Sequence, residues 1–257
     1  MTPVLVFDIE TVPDVAGLRR LHDLDAKIPD RQVADMAFQL RRQAAGHDFL
    51  PLHLHRVVVI SCALKERDDS FRVFSLSGEN EGELIQRFYD GIDKYTPQVV
   101  SWNGGGFDLP VLHYRGLIHS VRAPRYWDMG EDDRDFKWNN YISRYHSRHL
   151  DLMDLLALYQ GRANAPLDDL AQLMGLPGKL GMDGSQVWNA YQEGKLPDIR
   201  NYCETDVVNT YLVFLRFQMM RGMLTSEQHK AQCEVVRSAL GKSPDAHWKE
   251  FLARWKS

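Results

Sequence analysis

The stretch Pro3-Val4-Leu5-Val6-Phe7-Asp8-Ile9-Glu10-Thr11 carries the reading of the whole chain. Val4 to Phe7 is an almost unbroken apolar run, which predicts a buried strand over Pro3–Glu10. Two acids close it. Because side chains alternate along a strand, Asp8 and Glu10 fall on one face. Neighbouring carboxylates repel each other and are costly to bury unless a cation lies between them, and hard oxygen donors of this kind suit Mg²⁺ or Mn²⁺. By itself the pair fits equally well the end of a sheet meeting water.

Downstream, Asp30–Ala45 has helical period within a polar insertion that spans residues 11–50. Arg56–Leu64 and Phe71–Leu76 read as an antiparallel hairpin joined by the charged turn Lys65-Glu66-Arg67-Asp68-Asp69. A helix over Glu81–Lys94 leads to a short buried strand, Gln98–Trp102, and then to a helix over Asp108–Ile118 with Pro110 tolerated in its first turn. Residues 119–149 are irregular, and His149–Leu158 suits a strand end entering a helix. Short helices at Leu167–Met174 and Gln186–Glu193 precede a long helix from Asp198, as N-cap, to about Met220. Two amphipathic helices, Thr225–Leu240 and Asp245–Trp255, close the chain. The pattern predicts an α/β fold: a mixed sheet covered by helices, with residues 1–220 as the main domain and 221–257 as a helical extension packed on it.

Composition narrows the function classes. The 257 residues carry 31 Lys+Arg against 35 Asp+Glu, a net charge of −4, and 44% hydrophobic content, as in an ordinary globular protein. No apolar run approaches the roughly 18 residues of a membrane span, and the N-terminus lacks the basic start of a signal peptide. Three scattered cysteines, Cys62, Cys203 and Cys233, give no disulfide framework and no Cys-x-x-Cys site, so a reducing cytoplasm is the expected setting. Gly178-Lys179 and Gly241-Lys242-Ser243 lack the upstream glycine of a P-loop. His53 and His55 alternate beside the hairpin strand and read as ordinary strand residues.

Two further acids stand out. Asp108 ends Trp102-Asn103-Gly104-Gly105-Gly106-Phe107-Asp108, where a glycine turn permits close approach of a ligand and leads into a helix N-terminus; taken alone it reads better as a helix cap. Asp206, in Tyr202-Cys203-Glu204-Thr205-Asp206, lies one helical turn beyond Tyr202 on the same face. Val207 and Val208 follow it, which makes a solvated role uncomfortable.

The combination is far more specific than its parts. Asp8-Ile9-Glu10, Asn103 to Asp108 and Tyr202 to Asp206 match, in order and spacing, the three motifs of the DEDD superfamily of 3′–5′ exonucleases in its tyrosine subgroup. The wording around them resembles predicted exonucleases related to the proofreading domain of family B DNA polymerases. The resemblance covers roughly residues 3–220. It implies a ribonuclease-H-like fold and a reaction with two divalent metal ions, Mg²⁺ or Mn²⁺. Asp8 would then be shared by both ions, Glu10 and Asp206 would complete one site, Asp108 would hold the second through water, and Tyr202 would orient the attacking water. Thr11, Asn103 and Phe107 would contact the substrate.

The expected activity is a 3′–5′ exonuclease acting on 3′ ends of single-stranded DNA and releasing nucleoside 5′-monophosphates. The alternatives are an exoribonuclease on the same scaffold and, given that all four acids and the tyrosine are present, less readily a silent nucleic-acid-binding protein. A net negative chain is a poor non-specific duplex binder. Residues 122–149 alternate Tyr126, Trp127, Phe136, Trp138, Tyr141 and Tyr145 with arginines and Lys137, which reads either as a stacking platform for a single strand or as aromatics packed on the core.

Overall fold

A computed structural model describes residues 2–67 and 70–256. The apolar run of the first motif forms β1 (Val4–Pro13), the central strand of the sheet. After the helical pair α1 (Val15–His22) and α2 (Asp30–Ala45), the hairpin strands β2 (His55–Lys65) and β3 (Phe71–Ser77) pair antiparallel, β2 lying against β1. Asp68 and Asp69 of the expected turn lie outside the described residues. The α3 helix (Glu81–Tyr95) leads to β4 (Gln98–Ser101), parallel to β1, and α4 (Asp108–Ile118) follows the glycine turn. The segment expected to be irregular holds the short helix α5 (Pro124–Trp127) and a 3-10 turn, Arg134–Lys137, before β5 (His149–Asp151), which pairs parallel to β4. The sheet order is β3-β2-β1-β4-β5.

Short helices α6 (Leu152–Leu156), α7 (Leu167–Leu173) and α8 (Val187–Gln192) lead to α9 (Leu196–Met220), α10 (Ser226–Gly241) and α11 (Ala246–Arg254). The mixed α/β sandwich expected from the sequence is the fold found. Alternation along β1 divides its side chains between two cores. Leu5, Phe7 and Ile9 pack with residues of α3 and α4, including Ile85, Phe88 and Leu112. Val6 packs on the opposite face with Val207, Tyr211 and Leu212 of α9. Asp8 and Glu10 share the Val6 face, so they point towards α9.

Two boundaries differ from the expectation in ways that matter for the site. β1 runs on past Glu10 to Pro13, because β2 continues to pair with it through a bulge. Glu10 lies opposite Val59 and Thr11 opposite Val57, so Val58 is the extra residue. And α9 starts two residues before Asp198, with Pro197 in its first turn, where a missing N–H costs nothing. Asp198 is therefore a first-turn acid, not the cap. Among the described residues no helix is long and apolar enough to cross a membrane.

Candidate active site

β1 and α9 bring the first and third motifs together. The ligand atoms of Asp8, Glu10 and Cys203 lie within 4.8 Å of one another. The thiol of Cys203 donates to the Asp8 carboxylate, with Sγ 3.4 Å from Oδ2. Asp206, one turn further along α9, is buried and faces the same cluster: its charge and that of Asp108 both act on Asp8 and Glu10.

Asp108 arrives by another route. β4 pairs with β1 only as far as Val6 and leaves the sheet after Ser101, so the Ile9 N–H on that side loses its strand partner. The Asp108 carboxylate takes that N–H at 3.1 Å. Asp108 is thus the first residue of α4 and a bridge to β1, not the cap that its position alone suggests. The turn that delivers it is tightly built. Asn103 adopts a left-handed conformation (φ 65°) and its carbonyl accepts from both Gly106 and Phe107. A side chain at position 104 would collide with Ser101. The Asp151 carboxylate, at the end of β5, accepts from the N–H groups of Asn103 (3.0 Å) and Gly105 (2.8 Å).

Four clustered carboxylates, three buried and Asp8 half-buried, with little positive charge among them cannot all ionise readily. Burial first, and then the neighbouring acids, push Asp8 and Glu10 well above the ordinary carboxylate range. Burial raises Asp108 to about 7 and Asp206 to about 6. Asp206 is relieved by the Lys179 charge and by the Tyr202 hydroxyl. Its Oδ1 is buried with no hydrogen-bond partner. Burial followed by the same acids raises the Tyr202 hydroxyl, so it remains protonated.

A profile of predicted 3′–5′ exonucleases related to the exonuclease domain of PolB matches residues 47–255. The chain belongs to this family. The family is one of predicted 3′–5′ exonucleases, and the matched stretch contains the second and third motifs while Asp8 and Glu10 precede it. No curated protein matches. Among solved structures the chain is similar to the family B DNA polymerase from the hyperthermophilic archaeon Pyrobaculum calidifontis, at 17% identity and a TM-score of 0.52, over 98% of this chain and 27% of that one. The chain therefore spans about a quarter of the polymerase's length, and the likeness supports the ribonuclease-H-like fold.

The other substrate candidates are placed unevenly. Phe107 and Thr11 line a cavity that also contains Glu10, whereas Asn103 contributes its strained backbone to the glycine turn. Of the six aromatics in 122–149, Tyr126, Phe136 and Tyr141 are buried in the core, with Arg148 stacked 3.9 Å from the Phe136 ring centroid. That half of the stretch is packing. Trp127, Trp138 and Tyr145 remain exposed.

Sequence reasoning gave Asp151, Lys179 and Cys203 no role at the site and set His55 aside as an ordinary strand residue. Lys179 sits 5.5 Å from the Tyr202 ring centroid. Its loop is tied to α9 by Asn209, whose side chain donates to the Gly178 carbonyl (2.9 Å) and accepts from the Gly178 N–H (3.3 Å). A polar side chain facing inward on the otherwise apolar middle of α9 was the available signal for Asn209.

Proposed function

We propose that the chain removes nucleoside 5′-monophosphates from the 3′ end of single-stranded DNA, using two divalent ions of the Mg²⁺ or Mn²⁺ class held by Asp8, Glu10, Asp108 and Asp206. The observation that carries this reading is the convergence of Asp8, Glu10, Asp108 and Asp206, three of them buried and Asp8 partly so, together with the unpartnered oxygen of Asp206. Hard oxygen donors that repel one another in the ion-free protein are the donor set such ions select. Asp8, on which the charges of all three other acids act, would be the shared ligand. When bound, the ions supply Lewis acidity, lowering the pKa of a water and offsetting charge on the leaving oxygen.

The remaining work falls to the chain. Tyr202 stays protonated, so its hydroxyl orients the attacking water and does not remove its proton. The hydroxyl is hydrogen-bonded to Asp206, and the charges of Glu10 and Asp8 also act on it. Lys179 lies close enough to stabilise both acids and to meet a phosphate oxygen. The net charge of −4 leaves strand binding to these local groups and the ions, not to a basic surface. The choice of DNA is supported by the family's relation to a DNA polymerase domain, and free cysteines fit a reducing, cytoplasmic setting.

The test uses 5′-end-labelled single-stranded DNA and RNA of one sequence, with Mn²⁺, Mg²⁺ or chelator. A ladder shortening from the 3′ end, faster on DNA and abolished by chelator, is expected. Cleavage indifferent to chelator would overturn the metal assignment, and faster loss of RNA would overturn the substrate.

A further inference from the structure

Charge is unevenly spread over the chain. Residues 216–242 carry Arg216, Arg221, Lys230, Arg237 and Lys242 against Glu227 and Glu234, a local +3 in a protein of net −4. Three of these cations, Arg216, Lys230 and Arg237, meet with His229 and Cys233 at a cavity of about 230 Å³ between α9 and α10. None of the cavity's residues belongs to the carboxylate cluster. Arg237 is already engaged: its guanidinium lies 3.8 Å from the Trp255 ring centroid, and its Nε is 3.7 Å from Glu234. Arg216 is not. Its Nε is buried without a hydrogen-bond partner, and no carboxylate pairs with it among the described residues. Its charge acts instead on His229 and Cys233, which stand one turn apart on α10 with Sγ 3.8 Å from Nε2. A guanidinium nitrogen withdrawn from water and left unbonded is costly until a ligand supplies the acceptor.

The cavity is built into the packing of three segments. Tyr202, Asn209 and Arg216 are spaced by seven, so they form one stripe along α9. The chain leaving α7 runs along that stripe in the opposite direction. Lys179 lies near the Tyr202 ring, Gly178 is bonded both ways to Asn209, and Met174 and Leu176 line the cavity with Arg216. On the other side α10 is fixed, because Val236 and Leu240 pack into the same core as Leu212. The walls are thus ordered before a ligand arrives, which lowers the entropic cost of binding. The chemistry of the walls names the ligand. Arginine and lysine side chains only donate. Burial, and then the Arg216 charge, hold His229 below the ordinary histidine range, so it adds no charge at neutral pH. With Glu234 set against Arg237, the charges of Arg216 and Lys230 are left over. A phosphate monoester, with about two negative charges at neutral pH and three strong acceptor oxygens, matches them.

We propose that this cavity binds the dianionic phosphate of a phosphate monoester, with Arg216 as the anchoring donor and Lys230 as the second charge. Inorganic phosphate and the 5′-phosphate of a mononucleotide share this chemistry. The site lies outside the carboxylate centre and goes beyond the exonuclease reading.

The test is run on the full chain in chelator, where the ion-free carboxylates repel anions and no cleavage takes place. Inorganic phosphate and thymidine 5′-monophosphate are titrated calorimetrically, and one ligand per chain is expected. Arg216→Gln should raise the dissociation constant about tenfold and Lys230→Gln severalfold. Arg216→Lys keeps the charge and should recover most of the loss. Arg254→Gln, which removes an exposed cation on α11, should change nothing. The position is read separately through Cys233, which is half-buried in the cavity wall while Cys62 and Cys203 are buried. The uncharged reagent N-ethylmaleimide should label Cys233 first, and phosphate should slow that labelling severalfold by mass spectrometry. Tighter thymidine 5′-monophosphate would make the mononucleotide the source, and equal affinities would make free phosphate sufficient. Should Arg216→Gln fail to fold, Lys230→Gln and the protection of wild-type Cys233 decide. A wild type that binds no phosphate, an unprotected Cys233, or a folded Arg216→Gln of unchanged affinity would each overturn the site, and none of them touches the exonuclease reading.

Discussion

Asp8 shows how one side chain couples stability to chemistry. Its half-buried carboxylate is clustered with three buried ones, so in the ion-free protein each acid binds its proton more tightly than in the unfolded chain. A folded state that holds more protons loses stability as pH rises. The window is set by the shifts: these acids begin to ionise near 4 in the unfolded chain, but Asp206 titrates near 6, Asp108 near 7, and Asp8 and Glu10 are raised as well. His113 and His149 oppose them below about 6.5, because burial lowers both to about 4 and stability is lost as they take up protons on unfolding. The carboxylates therefore act alone above pH 6.5. We expect the melting temperature of chelator-treated protein to fall between pH 6.5 and 8, and Mn²⁺ to raise it more at pH 8 than at pH 5. In Asp8→Ala cleavage is abolished, and both pH trends flatten because the centre of the repulsion is gone. Differential scanning fluorimetry with and without Mn²⁺ decides it; an Asp8→Ala protein with an unchanged Mn²⁺ shift would place the ions elsewhere. Tyr202→Phe should separate from this behaviour. It keeps the packed ring, so stability hardly changes, while single-turnover cleavage falls on the order of 10²–10⁴-fold and single-strand affinity in Ca²⁺ holds. Unchanged cleavage would remove the hydroxyl from the mechanism.

Between residue and domain, the elements show what the sequence made legible and what it left out. The strand, its two acids and the Tyr-x₃-Asp turn were readable because each follows a simple period: two on β1, about four on α9. The convergence of Asp108 was not readable from period at all. It depends on β4 stopping at Ser101 and leaving the Ile9 N–H for a carboxylate, an arrangement made by sheet pairing distant in sequence. The Val58 bulge, and with it the extension of β1 to Pro13, is likewise a property of two strands together. The aromatic stretch 122–149 misled in part because stacking platforms and core aromatics share one composition. Only packing separates Tyr126 and Phe136 from Trp138. The glycine turn offers a direct test at this scale. At position 104 an added methyl would meet Ser101, which is itself buried and 2.9 Å from His149, so there is little room to yield. At position 105 the nearest atom is Asp151 Oδ2 at 3.3 Å, a contact relieved by a few tenths of an ångström. Gly104→Ala should cost about 1–3 kcal/mol in urea unfolding and displace Asp108 enough to slow cleavage. Gly105→Ala should cost less than half as much. Equal midpoints for the two variants would show that the turn adjusts as a whole.

At the scale of the whole molecule, the last two helices belong to the core that carries the site. Trp248, Phe251 and Trp255 are buried with Val236, Leu240 and the α9 residues Tyr211 and Leu215. A polar row crosses the sheet beneath them. Asp8, Ser61 and Ser75 are direct cross-strand neighbours. The serine hydroxyls are 2.8 Å apart, Ser75 donates to Glu204 Oε1 (2.6 Å), and His247 of α11 meets Glu204 Oε2 at 3.0 Å. Small hydroxyls at these positions let α9 pack closely on the sheet while keeping the buried Glu204 carboxylate solvated by protein. Two consequences follow from this arrangement. A chain ending at Lys242 loses three buried aromatics worth roughly 2–3 kcal/mol each, a sum comparable to the stability of a typical domain at about 5–15 kcal/mol, and it uncovers Glu204. It should therefore lack a cooperative urea transition, as read by near-ultraviolet circular dichroism. His247→Leu keeps the apolar cover and removes only the partner, so it should fold and lose about 1–3 kcal/mol. A truncated chain that still unfolds sharply would make residues 243–257 an accessory to a core already complete at the end of α10. An unaltered His247→Leu midpoint would mean that Ser75, with Arg200 at 3.8 Å, is enough to settle the Glu204 charge.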